Sequence, residues 1–326
     1  MHKRVLWGVT IPIILLLFLV SLTFLSAVTG CGGEGREGGN VLLRVTEGYG
    51  EKEIFSQEVY VDANRSVLDV LQEKLNVKLA YGNRFINEIE GTASGYTDAA
   101  GEGAEKMDWF FYANGVLSGI GAADYYPEDG DYIWWDFHSW DDGLFMPAVT
   151  GAFPATFVNG YNRKHPGVTI MHGEDGNESA MAMQDFLEGL GVDEVFSEPY
   201  DHGELTVRSR ITIVFAVLED IRADGFWKDI QENRSRTGWL VDFSPEGIIP
   251  FNRYGEEKPS RNGNDIMQGA VLATGSGMGD NTPLWLFTAV DEESLLRLTK
   301  KIIAEPEKLS GSFAVAMKDD GIIYLP

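Results

Sequence analysis

The chain has 326 residues, with 26 basic and 50 acidic side chains and a formal net charge of −24. At roughly 150 residues per domain, this length predicts about two domains. The hydrophobic content of 44% and the aromatic content of 12% can supply a packed core, which excludes wholesale disorder. The negative charge argues against a nucleic-acid partner, because Lys and Arg neutralise phosphates. A single cysteine excludes an internal disulfide and a multi-cysteine zinc site.

The N-terminus has the pattern of a secretory signal peptide. A short basic start precedes an almost unbroken apolar run from Val5 to Leu25. Because this run could span about 30 Å of hydrocarbon, a retained transmembrane anchor is the alternative. Val28-Thr29-Gly30-Cys31 resembles the lipobox of bacterial lipoproteins. The resemblance implies a lipoprotein signal peptide over residues 1–30 and lipid attachment at Cys31, on the extracytoplasmic face of the cell membrane. The glycine-rich residues 31–40 predict a flexible linker.

Residues 41–140 predict a domain of short strands with one helix. Ser66 is a good N-cap, and apolar residues at helical spacing follow it, so a helix is expected over 66–75. Asn114-Gly115 after an aromatic run predicts a β-hairpin. The polar, glycine-rich residues 91–105 predict a loop. Further strands are expected at 41–45, 54–61, 77–81, 85–89 and 132–137.

Four short motifs follow one another in this first domain. They are the Ser-Val-Leu-Asp-Val-Leu helix, Phe-x-x-x-Ile-x-Gly from Phe85, Trp-x-x-Tyr-x-Asn-Gly from Trp109, and Tyr-x-x-x-Asp-Gly-Asp-x-Ile-x-Trp from Tyr125. Their order resembles the transcobalamin-like C-terminal domain, which occurs in vertebrate cobalamin carriers and in bacterial surface proteins. The resemblance covers less than a third of the chain. It implies a β-grasp-like α+β fold and the binding of cobalamin or a related corrinoid.

A corrinoid is a large, nearly flat ring with an apolar face and amide side chains, so its site needs rigid aromatic rings and polar groups. Two consecutive tryptophans in a strand point to opposite faces, so one is expected in the core and the other at the surface or at a domain contact. Burial in the core is the alternative for each ring. The candidate ligand-binding residues are Tyr112, Asn114, Tyr125, Tyr126, Trp134, Trp135, Phe137 and Trp140.

His138 is a candidate axial ligand for the cobalt of a corrinoid, because neutral imidazole binds metals. Packing against the neighbouring aromatic residues is the alternative for this side chain. The sequence predicts no resident metal and no covalent cofactor, which leaves the corrinoid as the expected ligand.

Residues 141–326 predict an α/β domain, because strands and helices alternate along them. Helices are expected at 177–190 and 291–303, and the second has acids in its first turn and lysines near its end. The glycine-rich stretch 275–280 has no helix directly after it, which argues against a phosphate loop. No HExxH or GxSxG motif is present, so no enzyme activity is predicted and the role of this domain stays open.

These features predict a lipid-anchored extracytoplasmic protein that captures a corrinoid and passes it to a membrane importer for the vitamin. The alternative is a surface module that recognises a protein or a cell-wall polymer through its aromatic edge. The expected architecture is a β-grasp-like, transcobalamin-type domain followed by an α/β domain.

Overall fold

The computed structural model describes residues 38–82, 85–96, 105–140, 144–257 and 266–326. Cys31, the predicted signal peptide and most of the predicted linker lie outside these residues. Among the helices in the described ranges, none combines the length and the apolar character that crossing a membrane requires.

The described chain has the α+β fold that the sequence predicts, and its N-terminal half is built around a five-stranded mixed sheet. The elements of this half are β1 (Gly39–Glu47), β2 (Lys52–Val61), α1 (Val67–Lys74), β3 (Val77–Ala80), β4 (Phe85–Ile89), β5 (Thr92–Ala93), β6 (Met107–Ala113), β7 (Val116–Leu117) and β8 (Tyr132–Ser139). The order in the five-stranded sheet is β2-β1-β8-β6-β7, with β1 and β8 parallel and the other pairs antiparallel. The strands β3, β4 and β5 form a small antiparallel sheet of their own.

Helix α1 begins where the sequence predicts, after Ser66. The Ser66 hydroxyl accepts a hydrogen bond from the backbone N–H of Asp69 (3.2 Å), and the Asp69 carboxylate accepts one from the backbone N–H of Ser66 (2.8 Å). This capping box satisfies two N–H groups that have no partner inside the helix. The apolar side of α1 is then buried against one face of the five-stranded sheet.

The predicted hairpin is also present, since β6 and β7 are joined by Asn114 and Gly115. Both residues have positive φ angles, 49° and 80°. A two-residue turn of this kind matches the twist of the strands it joins, and it favours Asn-Gly.

The C-terminal half contains a seven-stranded sheet. Its elements are α2 (Ala155–Asn159), β9 (Val168–His172), α3 (Asn177–Gly189), β10 (Val195–Pro199), α4 (His202–Thr206), β11 (Ile211–Val217), α5 (Leu218–Ala223), α6 (Gly225–Glu232), α7 (Arg234–Thr237), β12 (Val241–Ser244), β13 (Gly247–Pro250), β14 (Gly269–Thr274), β15 (Leu284–Ala289), α8 (Glu292–Ala304), β16 (Ala314–Lys318) and β17 (Gly321–Leu325). The strands lie in the order β10-β9-β11-β15-β14-β16-β17 across the sheet. In this order the first four strands are parallel, as is usual where strands and helices alternate, and the last three pair antiparallel.

The two halves share one hydrophobic core, and residues 38–326 form one compact unit. The face of the five-stranded sheet opposite α1 packs on the segment before β16, where the rings of Trp134 and Phe313 are 5.0 Å apart. The approach is close enough that a side chain at Gly50 would collide with the carbonyl oxygen of Gly311. The predicted domain boundary falls at residues 141–143, outside the described residues, and stays a prediction.

Candidate functional site

A cleft of about 680 Å³ lies along the outer edge of β6. Four consecutive β6 residues, Asp108 to Phe111, line it. Neighbouring side chains in a strand point to opposite faces of the sheet, so a cavity that touches all four must follow the edge of the strand. The strand β7 pairs with β6 only at Tyr112 and Ala113, and beyond it the carbonyls of Met107 and Phe111 accept hydrogen bonds from the N–H groups of Gly95 and Ser118.

Seven of the sixteen residues that line the cleft are aromatic, and most of the others are apolar. The rings of Phe111 and Trp135 are stacked, with their centroids 5.1 Å apart and an angle of 17° between their planes. Phe145 and Met278 bring side chains from the C-terminal half to the same cleft. The remaining lining residues come from the start of β4, from the segment after the hairpin and from the end of β8: Phe85, Ile86, Leu117, Ser118, Ile120, Gly121, Ala122, Asp124 and Trp140.

Two rings at the mouth of the cleft are exposed to solvent. Phe85 is 61% exposed and Trp140 is 37% exposed. The Trp140 ring makes an edge contact with Tyr96 (5.1 Å between centroids), and the Lys106 ammonium lies 5.4 Å from its centre. The mouth therefore offers aromatic surface to an incoming molecule, with a positive charge beside it.

Only two of the predicted ligand-binding residues, Trp135 and Trp140, line this cleft. Tyr126 and Phe137 are half-buried and lie outside the lining. Trp134 and Trp135 do point to opposite faces of β8, as predicted, but both are buried. One packs on the C-terminal half, while the other belongs to the core on the α1 side.

Burial in the core, the alternative that the sequence left open, is found for Tyr112, Tyr125 and Trp134, and none of the three lines the cleft. Tyr112 and Trp134 lie on the sheet face that the C-terminal half covers, against Phe313. Tyr125 packs edge-on against Phe111, at 5.5 Å. Burial raises the pKa of the Tyr112 and Tyr125 hydroxyls, so both remain neutral.

Asn114 is likewise an internal residue instead of a ligand-binding one. Its amide nitrogen donates to the Asp131 carboxylate (2.7 Å) and to the Gly160 carbonyl (2.8 Å), and its amide oxygen accepts from the Tyr132 N–H (2.8 Å). These bonds use both amide hydrogens of the side chain. Burial raises the pKa of Asp131, although hydrogen bonds from Glu128, Asn114 and Asn159 oppose this effect.

His138 is buried, and its ring is stacked between Tyr49 (4.6 Å) and Phe110 (4.2 Å). Its Nδ1 lies 2.7 Å from Oδ1 of Asp136. Oδ1 also accepts from the backbone N–H of Tyr49, and Oδ2 of the same carboxylate accepts from the backbone N–H of Gly50. The candidate role as an axial ligand is corrected, because the ring is enclosed by aromatic neighbours and does not line the cleft. In the described part of the chain, no group of three or more His, Cys, Asp or Glu side chains is arranged to hold a metal ion.

Sequence reasoning missed most of the cleft. Trp109, Phe110 and Phe111 were predicted as a strand and not as a site. The density of aromatic residues in this segment could have indicated a binding site. Its position at the edge of the sheet, however, depends on the order of the strands. Phe145 and Met278 carry no local signal, since they reach the cleft only through the packing of the two halves.

The model of a family described as a domain of unknown function (DUF4430) matches residues 64–139, the stretch that carries α1, β6 and β8. No curated protein matches the chain. Two similar solved structures are haptocorrin in complex with Cbi and a candidate metal binding protein from Ruminococcus gnavus ATCC 29149. The haptocorrin match has 14% identity and a TM-score of 0.26, and it covers 32% of this chain and 26% of haptocorrin. The second match has 13% identity and a TM-score of 0.24, and it covers 31% of this chain and 97% of the other.

Proposed function

We propose that this protein binds a corrinoid, or a similarly large and flat ligand that carries amides, in the cleft beside β6. The observation that carries the proposal is the aromatic wall of Trp109, Phe111 and Trp135 continued at the mouth by the exposed rings of Phe85 and Trp140. The cleft volume of about 680 Å³ lies within the usual range for small-molecule sites. Binding without catalysis is the activity proposed.

The chemistry of the lining suits such a ligand. Aromatic rings held by their neighbours stack on a flat apolar face without losing further side-chain freedom. The polar side chains of the lining are Asp108, Ser118 and Asp124. Carboxylates accept hydrogen bonds, and an amide N–H is a donor that they can receive. The lining thus combines aromatic rings with a few hydrogen-bond acceptors. It therefore favours a ligand that is a flat ring with amide substituents over a highly charged ligand.

We also propose that a lipid on Cys31 tethers the protein to the extracytoplasmic face of the cell membrane, from which it passes its ligand to an importer. The sequence Val28-Thr29-Gly30-Cys31 after an apolar run supports this part. Cells grown with a labelled fatty acid should incorporate the label into the wild-type protein and not into the Cys31→Ser variant. Equal labelling of the two proteins would refute the anchor.

A second candidate function is the recognition of an extended peptide or polymer at the cell surface. The exposed rings of Phe85 and Trp140 at the mouth of the cleft favour it, because aromatic rings can pack on side chains or sugar rings of such a partner.

Titration calorimetry of the purified full-length protein separates these functions. Saturable binding of cobinamide or cobalamin is the expected result. Absence of any affinity for both compounds, together with capture of a cell-wall polymer or surface protein, would instead favour the second function. Absence of both activities would overturn the assignment of this cleft.

A further inference from the structure

A second cavity, of about 330 Å³, opens where β9 and β11 end. The strands β9 and β11 are parallel neighbours. The other neighbour of β9 in the sheet is β10, and the other neighbour of β11 is β15, so the chain continues away from the pair on both sides. Helix α3 covers one face of the sheet and α5 the other. Such a divergence opens a crevice at the carboxyl ends of the strands, which is the usual position of ligands in parallel sheets.

Hydrogen bonds hold one wall of this cavity in place. The Tyr200 hydroxyl donates to the Asp224 carboxylate (2.8 Å) and accepts from the indole N–H of Trp227 (3.0 Å). The other Asp224 oxygen accepts from the backbone N–H of Phe226 (2.7 Å) and lies 2.7 Å from Nδ1 of His202. Three groups of the protein therefore hold the Asp224 carboxylate in place, and its position does not depend on a bound ligand.

Asp220 lies one helical turn before Asp224, whose backbone N–H donates to the Asp220 carbonyl (3.2 Å), and the Asp220 carboxylate has unused acceptor capacity. Asp220 accepts no side-chain hydrogen bond from the described residues, and its Oδ2 lies 3.4 Å from the point where a methyl group at Gly173 would stand. The apolar part of the lining comes from Ala216, Ile221 and Ala223. The cavity thus combines two acidic groups with a small hydrocarbon surface.

A buried polar group lies next to the lining of this cavity. Thr288 on β15 is in register with Ala216 on β11, and its hydroxyl is buried without a hydrogen-bond partner among the described residues. Thr288 is not among the residues that line the cavity, so no contact with a ligand is assigned to it.

The charges around the cavity favour a cation. Burial raises the pKa of Asp220, as do the nearby carboxylates of Asp175 and Glu219. For Asp224, burial acts in the same direction, but hydrogen bonds, the strongest from Tyr200, bring its pKa below the usual value. Negative potential from several carboxylates attracts a positive group and stabilises it. The described residues contain no cluster suited to a metal ion, and the hydrocarbon lining suits carbon atoms.

We propose that this cavity binds a small organic amine whose ammonium group pairs with Asp220 and Asp224 and whose carbon chain packs on Ala216 and Ile221. The site is separate from the cleft beside β6, so it gives the C-terminal half a ligand of its own.

Titration calorimetry of the full-length protein with 1,4-diaminobutane tests this proposal, with 1,4-butanediol as the neutral counterpart. The diamine should bind saturably and the diol should not. Asp220→Asn should weaken diamine binding by about tenfold or more, because it removes a charge and keeps the shape of the side chain. Glu58→Gln, at an exposed acid on β2 in the N-terminal half, is the matched control and should change the affinity by about twofold or less.

The volume of the cavity gives an independent check. Gly173→Val keeps both carboxylates and adds side-chain atoms beside Asp220 inside the cavity, so it should also abolish diamine binding while the thermal unfolding curve shows a folded protein. The proposal is overturned by the absence of saturable diamine binding, by equal binding of the diol, or by an Asp220→Asn variant with unchanged affinity. Cobinamide binding should be the same in all these variants, so the failure of one site is distinguishable from the failure of the other.

Discussion

At the scale of single residues, a substitution at Asn114 distinguishes a structural role of this side chain from a role in ligand binding. Its side chain makes three hydrogen bonds inside the protein, and its backbone turns the β6–β7 hairpin. At about 1 kcal/mol per bond, Asn114→Ala should lower the free energy of unfolding by about 3 kcal/mol. Denaturant titration measures this loss. The affinity of the cleft should not change in the folded variant.

The matched control is Asn162→Ala, at another residue with a positive φ angle, 50°. It reproduces the backbone cost of alanine in this conformation without removing the three bonds made by Asn114. An Asn114→Ala protein as stable as the Asn162→Ala protein, but without affinity for cobinamide, would show that Asn114 contacts the ligand after all.

At the scale of secondary-structure elements, the N-cap of α1 predicts a pH dependence. Side-chain and backbone hydrogen bonds from Ser66 lower the pKa of Asp69 below its usual 3.8. Because the folded pKa is the lower one, this contribution to stability is present above about pH 4 and is lost as the pH falls through the folded pKa. Ser66→Ala should cost about 1 kcal/mol near neutral pH and less in strong acid.

Free energies of unfolding measured across the acid range check this prediction. Ser197→Ala, at an exposed serine in β10, is the control and should leave the whole curve unchanged. A Ser66→Ala curve that runs parallel to the wild-type curve down to the lowest pH would contradict the role of Asp69.

The segment before β16 couples the two halves of the molecule. The ring of Phe313 contacts four rings of the N-terminal half, Tyr49, Tyr112, Trp134 and His138. Phe313→Ala should lower the free energy of unfolding by about 3–5 kcal/mol, because it leaves a cavity between the halves. Differential scanning calorimetry should still show one transition. Phe196→Ala, at a partly exposed ring on β10, should have a much smaller effect.

The sequence correctly predicted those elements that depend on interactions between neighbouring residues. The N-cap at Ser66, the Asn114-Gly115 turn and the acidic start of α8 were all read correctly, because capping and turn conformation depend on a few neighbouring residues. The burial of Trp134 could not be predicted in this way. It depends on Phe313, which is distant in the sequence, and the period of two in a strand does not reveal which face a second sheet will cover.

The cleft escaped prediction for a related reason. The aromatic run from Trp109 to Phe111 was visible, but its value as a binding surface comes from the shortness of β7, which leaves β6 at the edge of the sheet. Strand order is a property of the whole sheet. Of the aromatic residues predicted to bind the ligand, four lie in β6 and β8, but only Trp135 and Trp140 line the cleft.

At the scale of the whole molecule, residues 38–326 form one compact unit, and two of its cavities differ in chemistry. The cleft beside β6 is largely apolar and rich in aromatic rings, whereas the cavity at the ends of β9 and β11 has two acidic side chains in its lining. The central claim is that the first of these takes up the corrinoid-like ligand.

Cobinamide affinity of three single-site variants tests that claim most directly. Phe85→Ala and Trp140→Ala remove exposed rings at the mouth of the cleft, and Tyr60→Ala removes a ring about as exposed as Phe85, 64% against 61%, on the far edge strand β2. All three lie at the surface and should fold normally. Each cleft variant should bind cobinamide about tenfold more weakly than the wild type, and Tyr60→Ala should bind it equally well. A wild-type protein without affinity for cobinamide, or equal affinity in all four proteins, would contradict the assignment.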